Sequence, residues 1–158
     1  MSDTIHHSVL KTEAATQAFA ARFGAHVMPG DVILLSGPVG AGKTAFARAL
    51  IQSLITSDED VPSPTYTLVQ TYDTPRGEIW HSDLYRVMSI SEVEELGLTE
   101  AFDTAICLIE WPEMLGDLIP DHAISMSLKP DAGGHGRLMT LRWTDDRWDQ
   151  RVYEAADG

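Results

Sequence analysis

Residues 37–44, with the sequence GPVGAGKT, constrain the fold of this chain more than any other segment. They match the pattern G-x-x-x-x-G-K-[ST] in full, follow the unbroken apolar run 32–35, and precede an expected helix at 46–55. Such an apolar run suits a buried parallel strand. The order strand, glycine-rich loop, helix therefore predicts an α/β fold of the P-loop NTPase type.

The residue types of this loop are those that phosphate binding requires. Glycines allow backbone N–H groups to turn inward around phosphate oxygens, and the N-terminus of the next helix adds the positive end of its dipole. Lys43 is expected to reach the terminal phosphates of ATP, and the Thr44 hydroxyl to ligate Mg²⁺. The predicted phosphate-binding residues are Gly37, Val39, Gly40, Ala41, Gly42, Lys43, Thr44 and Ala45. The alternative is a glycine-rich turn with an exposed lysine.

A second ligand for the metal is expected at the end of a neighbouring strand. Magnesium prefers oxygen ligands in octahedral geometry. Glu110 directly follows the apolar residues 106–109 and is the candidate, as a metal ligand and as a catalytic residue. The alternative is a surface carboxylate at the end of a strand.

Three further residues are candidates for roles in the reaction. Asp83, within HSDLYR at 81–86, could orient a water molecule or join the outer shell of the metal. Arg86 could neutralise charge on the transferring phosphoryl group, and Thr65, after two prolines, could sense the terminal phosphate. A surface ion pair for Asp83 and Arg86, and a turn or capping role for Thr65, remain open.

Other segments predict the elements around this centre. Helices are expected at 11–23, at 91–96 with Ser91 as N-cap, and from residue 145; a strand is expected at 104–109. Two hairpins are expected, one pairing 65–72 with 78–84 and one pairing 123–128 with 137–143. His6 and His7 are expected in a mobile end, and Cys107 as a buried strand thiol.

Composition limits the class of protein. A chain of 158 residues suits one domain, 1–158, and no run of about 20 apolar residues or export leader is present, which predicts a cytoplasmic protein. The net charge of −13 argues against extensive direct binding of nucleic acid. The chain contains no asparagine, so the N-K-x-D segment that reads guanine cannot exist.

Four motifs in order, GPVGAGKT, SPTYTLV at 63–69, HSDLYR and IEWPE at 109–113, resemble the bacterial TsaE family of tRNA threonylcarbamoyladenosine biosynthesis ATPases. The resemblance covers roughly residues 12–115. It implies a parallel central sheet extended by antiparallel strands and flanked by helices, and a weak ATPase that acts with TsaD and TsaB and meets tRNA only through that complex. It also implies magnesium coordination by Thr44 and Glu110 and functional roles for Thr65, Asp83 and Trp111, with Trp111 expected among the nucleotide-binding residues.

This chain departs from the family pattern at two positions. Pro38 stands where an aspartate is usual, and Ser82 where an aromatic residue is expected. Two other functions remain alternatives. One is a small kinase that phosphorylates a metabolite, although no cluster of arginines marks a lid. The other is a nucleotide-binding module whose bound state controls a partner.

Overall fold

The computed structural model describes residues 3–55, 68–131 and 136–157. Within these ranges, strands form a seven-stranded sheet in the order β1-β7-β6-β2-β5-β4-β3. The strands are β1 Thr4–Leu10, β2 Val32–Ser36, β3 Val69–Thr74, β4 Gly77–Asp83, β5 Ile106–Glu110, β6 Ile124–Pro130 and β7 Arg137–Trp143. The helices are α1 Glu13–Gly24, α2 Lys43–Leu54, α3 Ile90–Glu95, α4 Leu98–Thr104, α5 Arg147–Asp157 and the 3-10 helix Pro112–Leu118.

The middle of the sheet is parallel and its edges are antiparallel. Strand β2 pairs in parallel with β5 and β6, and β4 pairs in parallel with β5. Strands β3, β7 and β1 add antiparallel pairs at the two edges. This arrangement confirms the predicted fold class, a P-loop α/β sheet extended by antiparallel strands and flanked by helices.

Apolar residues cover both faces of the sheet, which explains why β2 and β5 are almost entirely buried. One face packs against α1, α2 and α5, where the rings of Phe23 and Trp148 stack with centroids 5.8 Å apart. The other packs against α4 and the 3-10 helix through Phe102 and Leu115. The Cys107 thiol lies in this second core, and burial raises its pKa to about 12, as expected of an inert strand cysteine.

Several predicted elements are confirmed with small shifts. Helix α1 begins after Thr12, whose hydroxyl accepts a hydrogen bond from the Ala15 N–H at 3.0 Å. The hairpin of β6 and β7 forms as expected. In the hairpin of β3 and β4, the predicted residues 65–67 lie outside the described residues. None of the helices in the described ranges has the length and apolar character that crossing a bilayer requires.

Two expectations are wrong, and two short helices were missed. His6 and His7 lie in β1, paired with β7, rather than in a mobile end; the pattern hid this strand because its apolar residues Ile5 and Val9 are exposed. The N-cap of α3 is Ser89 and not Ser91. The Ser89 hydroxyl accepts a hydrogen bond from the Glu92 N–H, and the spacing Ser89-x-x-Glu92 is typical of a helix N-terminus. Helix α4 and the 3-10 helix, each of 7 residues, were not predicted.

Candidate nucleotide-binding site

The carboxyl ends of three parallel strands meet at one edge of the sheet. Leu35 of β2 lies in register with Glu110 of β5, and Asp83 of β4 lies in register with the same Glu110. The glycine-rich loop leaves β2 at this edge. In open α/β sheets, this edge is where ligands bind, so the fold brings the predicted loop and both predicted carboxylates together.

The loop conformation depends on glycine at two positions where the chain is crowded. Gly37 has φ 142°, and a Cβ there would lie 2.1 Å from the Leu128 carbonyl oxygen. Gly42 has φ 102°, and a Cβ there would lie 2.7 Å from Nε of Arg137. Helix α2 begins at Lys43, three residues earlier than expected, so its first-turn N–H groups, which have no acceptor within the helix, belong to the loop.

Lys43 is held inside the loop. Its side chain donates hydrogen bonds to the carbonyl oxygens of Gly37 and, at 3.2 Å, Pro38. Its ammonium lies 4.0 Å from the centre of the Trp111 ring, a cation–π contact. Lys43 is 5% exposed. The loop thus carries a positive charge fixed among backbone groups, as phosphate binding requires.

Thr44, Glu110 and His81 form a continuous hydrogen-bonded row. The Thr44 hydroxyl donates to Oε1 of Glu110 at 2.7 Å, and Nε2 of His81 lies 2.8 Å from Oε2 of the same carboxylate. Glu110 is 2% exposed and His81 is fully buried. The two predicted metal ligands, Thr44 and Glu110, are therefore in direct contact, and the carboxylate is held at both oxygens.

Asp83 occupies the end of β4 beside this row. One of its carboxylate oxygens accepts a hydrogen bond from the Tyr85 N–H at 3.0 Å. Burial, and secondarily the negative charge of Glu110, raises the pKa of Asp83 above its ordinary value. A carboxylate with a raised pKa is a better proton acceptor near neutral pH. Asp83 lines the cleft beside Glu110, and its catalytic role stays a prediction.

Trp111 forms a wall of the site. It is the one non-glycine residue in the described ranges with a positive φ, 60°, and its N–H donates to the Leu35 carbonyl oxygen at 3.2 Å. The Trp111 ring lies 4.8 Å from that of Tyr85, centre to centre. Backbone conformations of this kind are concentrated at functional sites, and the role that the family motif implies for Trp111 stays a prediction.

These residues enclose a cleft of about 490 Å³. Its lining is Val39, Gly40, Ala41, Gly42, Lys43, Thr44, Ala45, Asp83, Tyr85, Glu110, Trp111 and Arg137. Gly37 does not line the cleft itself, but its carbonyl oxygen accepts a hydrogen bond from Lys43. Thr65 lies outside the described residues. Arg86 is exposed and does not line the cleft, so the structure does not support the role expected for it.

Arg137 was not identified from the sequence, although it lines the cleft. It is the first residue of β7 and pairs with Pro130 of β6. Because β6 runs parallel to β2 and β7 returns antiparallel, the start of β7 lies at the edge where β2 ends. The predicted hairpin, combined with the strand order, could have indicated this position; no local motif could.

A second cleft of about 340 Å³ adjoins the first. Its lining is Thr12, Glu13, Thr16, Gly42, Ala45, Gly136 and Arg137. The two clefts share Gly42, Ala45 and Arg137. Together they form a path from the loop to the start of α1, with Arg137 at the junction.

The oxygen donors at the first cleft fit Mg²⁺. A threonine hydroxyl and a carboxylate are hard ligands of the kind this ion selects, and it keeps several water ligands beside them. Within the described ranges, no group of three or more His, Cys, Asp and Glu side chains is arranged to hold a metal ion. Thr44 and Glu110 remain the candidate ligands.

Comparisons with known proteins agree on one family. Residues 10–138 match the sequence model described as Threonylcarbamoyl adenosine biosynthesis protein TsaE. The chain is 42% identical over 122 residues to tRNA threonylcarbamoyladenosine biosynthesis protein TsaE of Rickettsia bellii, covering 77% of this chain and 85% of the relative. It is 33% identical over 140 residues to the protein of that name from Bacillus subtilis, covering 88% and 86%.

The crystal structure of Bacillus subtilis YdiB has a similar fold. It superposes with a TM-score of 0.78 at 24% sequence identity, covering 99% of this chain and 97% of that one. None of these comparisons supports the alternative of a metabolite kinase.

Proposed function

The chain belongs to the TsaE family of tRNA threonylcarbamoyladenosine biosynthesis proteins, and from that premise we propose that it binds ATP with Mg²⁺ and slowly hydrolyses the nucleotide. The observation that carries the proposal is the contact of 2.7 Å between Thr44 of the P-loop and Glu110 at the end of β5. That contact joins the phosphate-binding loop to the acidic strand end, which is the pairing that a nucleotide-bound magnesium requires.

Each residue of the first cleft has a defined part in this proposal. The amides of the loop and the Lys43 ammonium bind the phosphate oxygens, while Thr44 and Glu110 hold the metal. When bound, Mg²⁺ neutralises charge on the phosphates. Asp83 orients the attacking water and accepts its proton, a role that its raised pKa supports. The proposed role of Thr65 as a phosphate sensor stays a prediction.

The second cleft accommodates the adenosine end of the nucleotide in this proposal. It begins where helix α2 starts, at Gly42 and Ala45, so a nucleotide whose terminal phosphates lie against Lys43 would extend toward Thr12. Arg137 lies between the two clefts. Among the described residues it makes no ion pair, and its guanidinium donates only to the carbonyl oxygen of Gly136, at 3.2 Å.

Arg137→Ala is expected to weaken the binding of ATP and of ADP alike, by about 10-fold, because a charge-assisted hydrogen bond to a phosphate is lost. The turnover number should change less, since the junction lies away from the Asp83 side of the cleft. Titration calorimetry with both nucleotides measures the effect. The matched control is Arg142→Ala, an exposed arginine of the same strand whose carboxylate partner is 3.9 Å away. Equal affinities in wild type and Arg137→Ala would contradict the placement.

The partners in this proposal are TsaD and TsaB, and the protein meets tRNA only through their complex. The net charge of −13 supports the indirect contact, since a protein that grips nucleic acid itself uses clusters of Lys and Arg. In this proposal the protein acts in the cytoplasm, where its tRNA substrate would be modified.

Reconstitution tests this proposal. Phosphate release from ATP should be slow with the protein alone and several-fold faster with purified TsaD and TsaB, and tRNA modification over many turnovers should require this chain. A regulator that acts through its bound state would support modification when ATP is bound but not cleaved. ATP consumption that depends on a small acceptor molecule would instead identify a kinase. Modification that proceeds equally well without the protein would contradict the proposal.

A further inference from the structure

His81 is a fully buried polar residue that the site described above leaves without a role. It lies on β4, two residues before Asp83, so both side chains belong to the same face of the strand. Its Nε2 lies 2.8 Å from Oε2 of Glu110, while its Nδ1 is buried with no hydrogen-bond partner in the described part of the chain. A position this well buried would ordinarily hold an apolar residue.

These contacts indicate which nitrogen of the His81 ring carries the hydrogen. A buried N–H without an acceptor is costly, whereas an unpaired ring nitrogen that carries only a lone pair costs less. The neutral tautomer with its hydrogen on Nε2 satisfies the contact with Glu110 and leaves no unpaired donor at Nδ1. His81 therefore donates, and Oε2 of Glu110 accepts.

Both oxygens of the Glu110 carboxylate therefore accept a hydrogen bond. Thr44 donates to Oε1 at 2.7 Å and His81 donates to Oε2 at 2.8 Å, and Glu110 is 2% exposed. A glutamate side chain has several rotamers to lose, and two donors restrict it to one. Each oxygen keeps further lone pairs with which it would ligate a metal ion bound beside Thr44.

We propose that His81 is a positioning residue that sets the orientation of Glu110 toward Mg²⁺ through a hydrogen bond from Nε2. The inference rests on the proposed function, because it takes Glu110 as a magnesium ligand. Groups that orient metal ligands in this way affect metal affinity strongly even though they never touch the ion.

A pair of amide variants tests the donor. The amide nitrogen of glutamine can reach the place of the histidine Nε2, whereas that of asparagine reaches only as far as Nδ1. His81→Asn should raise the Mg²⁺ concentration for half-maximal ATP turnover by about 10-fold. His81→Gln should stay within about threefold of wild type, which would be rescue by the conservative change.

A second readout is the affinity for ATP measured by calorimetry, once in excess magnesium and once in a chelator. In His81→Asn the gain in affinity that magnesium confers should shrink, while the affinity in the chelator should match wild type. Thermal unfolding of each variant without ligand reports any purely structural loss. The control is His7→Asn, the same change at an exposed histidine on β1, which four strands separate from β4.

The outcomes are distinct. A raised magnesium midpoint in His81→Asn together with a near-normal one in His81→Gln supports the inference. Equal midpoints in the two variants, whether both normal or both raised, would overturn it, because the Nε2 donor would then be irrelevant. Lower unfolding temperatures with a normal midpoint would make His81 a structural residue only. Absence of any magnesium effect on wild type would overturn the proposed function itself, and this inference with it.

Discussion

Replacement of Lys43 by alanine should abolish ATP hydrolysis and weaken ATP binding by about 10- to 100-fold. Lys43 is 5% exposed, and its ammonium already donates to the Gly37 and Pro38 carbonyl oxygens of the loop. Hydrogen bonds to charged groups contribute about 1.5–3 kcal/mol each, and every 1.4 kcal/mol is about a factor of 10 in affinity. The other basic residue that lines the cleft, Arg137, lies at the junction and cannot replace the charge near the terminal phosphate.

Binding is measured by titration calorimetry, and turnover by phosphate release. Lys129→Ala is the matched control, because this lysine is exposed on β6 and takes no part in the cleft. Lys43→Arg keeps the positive charge, but the planar guanidinium is too broad for a loop that encloses the lysine, so this variant should not restore activity. Normal ATP affinity in Lys43→Ala would mean that the nucleotide does not lie in the loop.

The centre of the site could be predicted because local patterns mark the ends of parallel strands. Leu35 and Ile109 each close an apolar run, and the residues that follow them carry the chemistry. Parallel strands bring their carboxyl ends to one edge, so two separate patterns predicted one site. The position of Glu110 could be predicted without the strand order, because the end of any strand that runs parallel to β2 lies at the same edge of the sheet.

The residues that complete the site could not be predicted in the same way. Arg137 reaches the loop only because β7 turns back antiparallel to β6 and β6 lies beside β2, two pairings that no short pattern contains. His81 belongs to a recognised motif, yet its partner Glu110 is 29 residues further along the chain. Contacts of this kind depend on tertiary packing, and a buried histidine is equally compatible with a place in the core.

The edge strand β1 was not predicted, for a different reason. The apolar residues Ile5 and Val9 of β1 are exposed together with His7, while the polar residues His6 and Ser8 on the other side of the strand are half-buried. Alternation of apolar and polar residues predicts a strand only where the apolar side is buried. An edge strand that inverts this pattern resembles a polar tail, and only its pairing with β7 shows otherwise.

Replacement of Glu110 by alanine should lower ATP turnover by about 100-fold or more, with a smaller loss of ATP affinity than Lys43→Ala causes. The loop and Lys43 still bind the phosphates in this variant, but the metal loses its protein carboxylate and the electrostatic stabilisation of the transition state falls. The change also leaves two donors, the Thr44 hydroxyl and Nε2 of His81, without their acceptor in a buried place. Some loss of thermal stability is therefore expected together with the loss of turnover.

Glu110→Gln separates these two effects. Glutamine keeps the shape of the side chain and one oxygen acceptor, so it should restore much of the thermal stability, yet its neutral amide is a poor magnesium ligand and turnover should stay low. Glu113→Ala, three residues further along and exposed, is the control and should behave as wild type. If Glu110→Gln hydrolysed ATP normally with ordinary magnesium dependence, the metal would not depend on this carboxylate. Asp83 at the end of β4 would then be the residue to test. Among the described residues that line this cleft, it is the only other carboxylate.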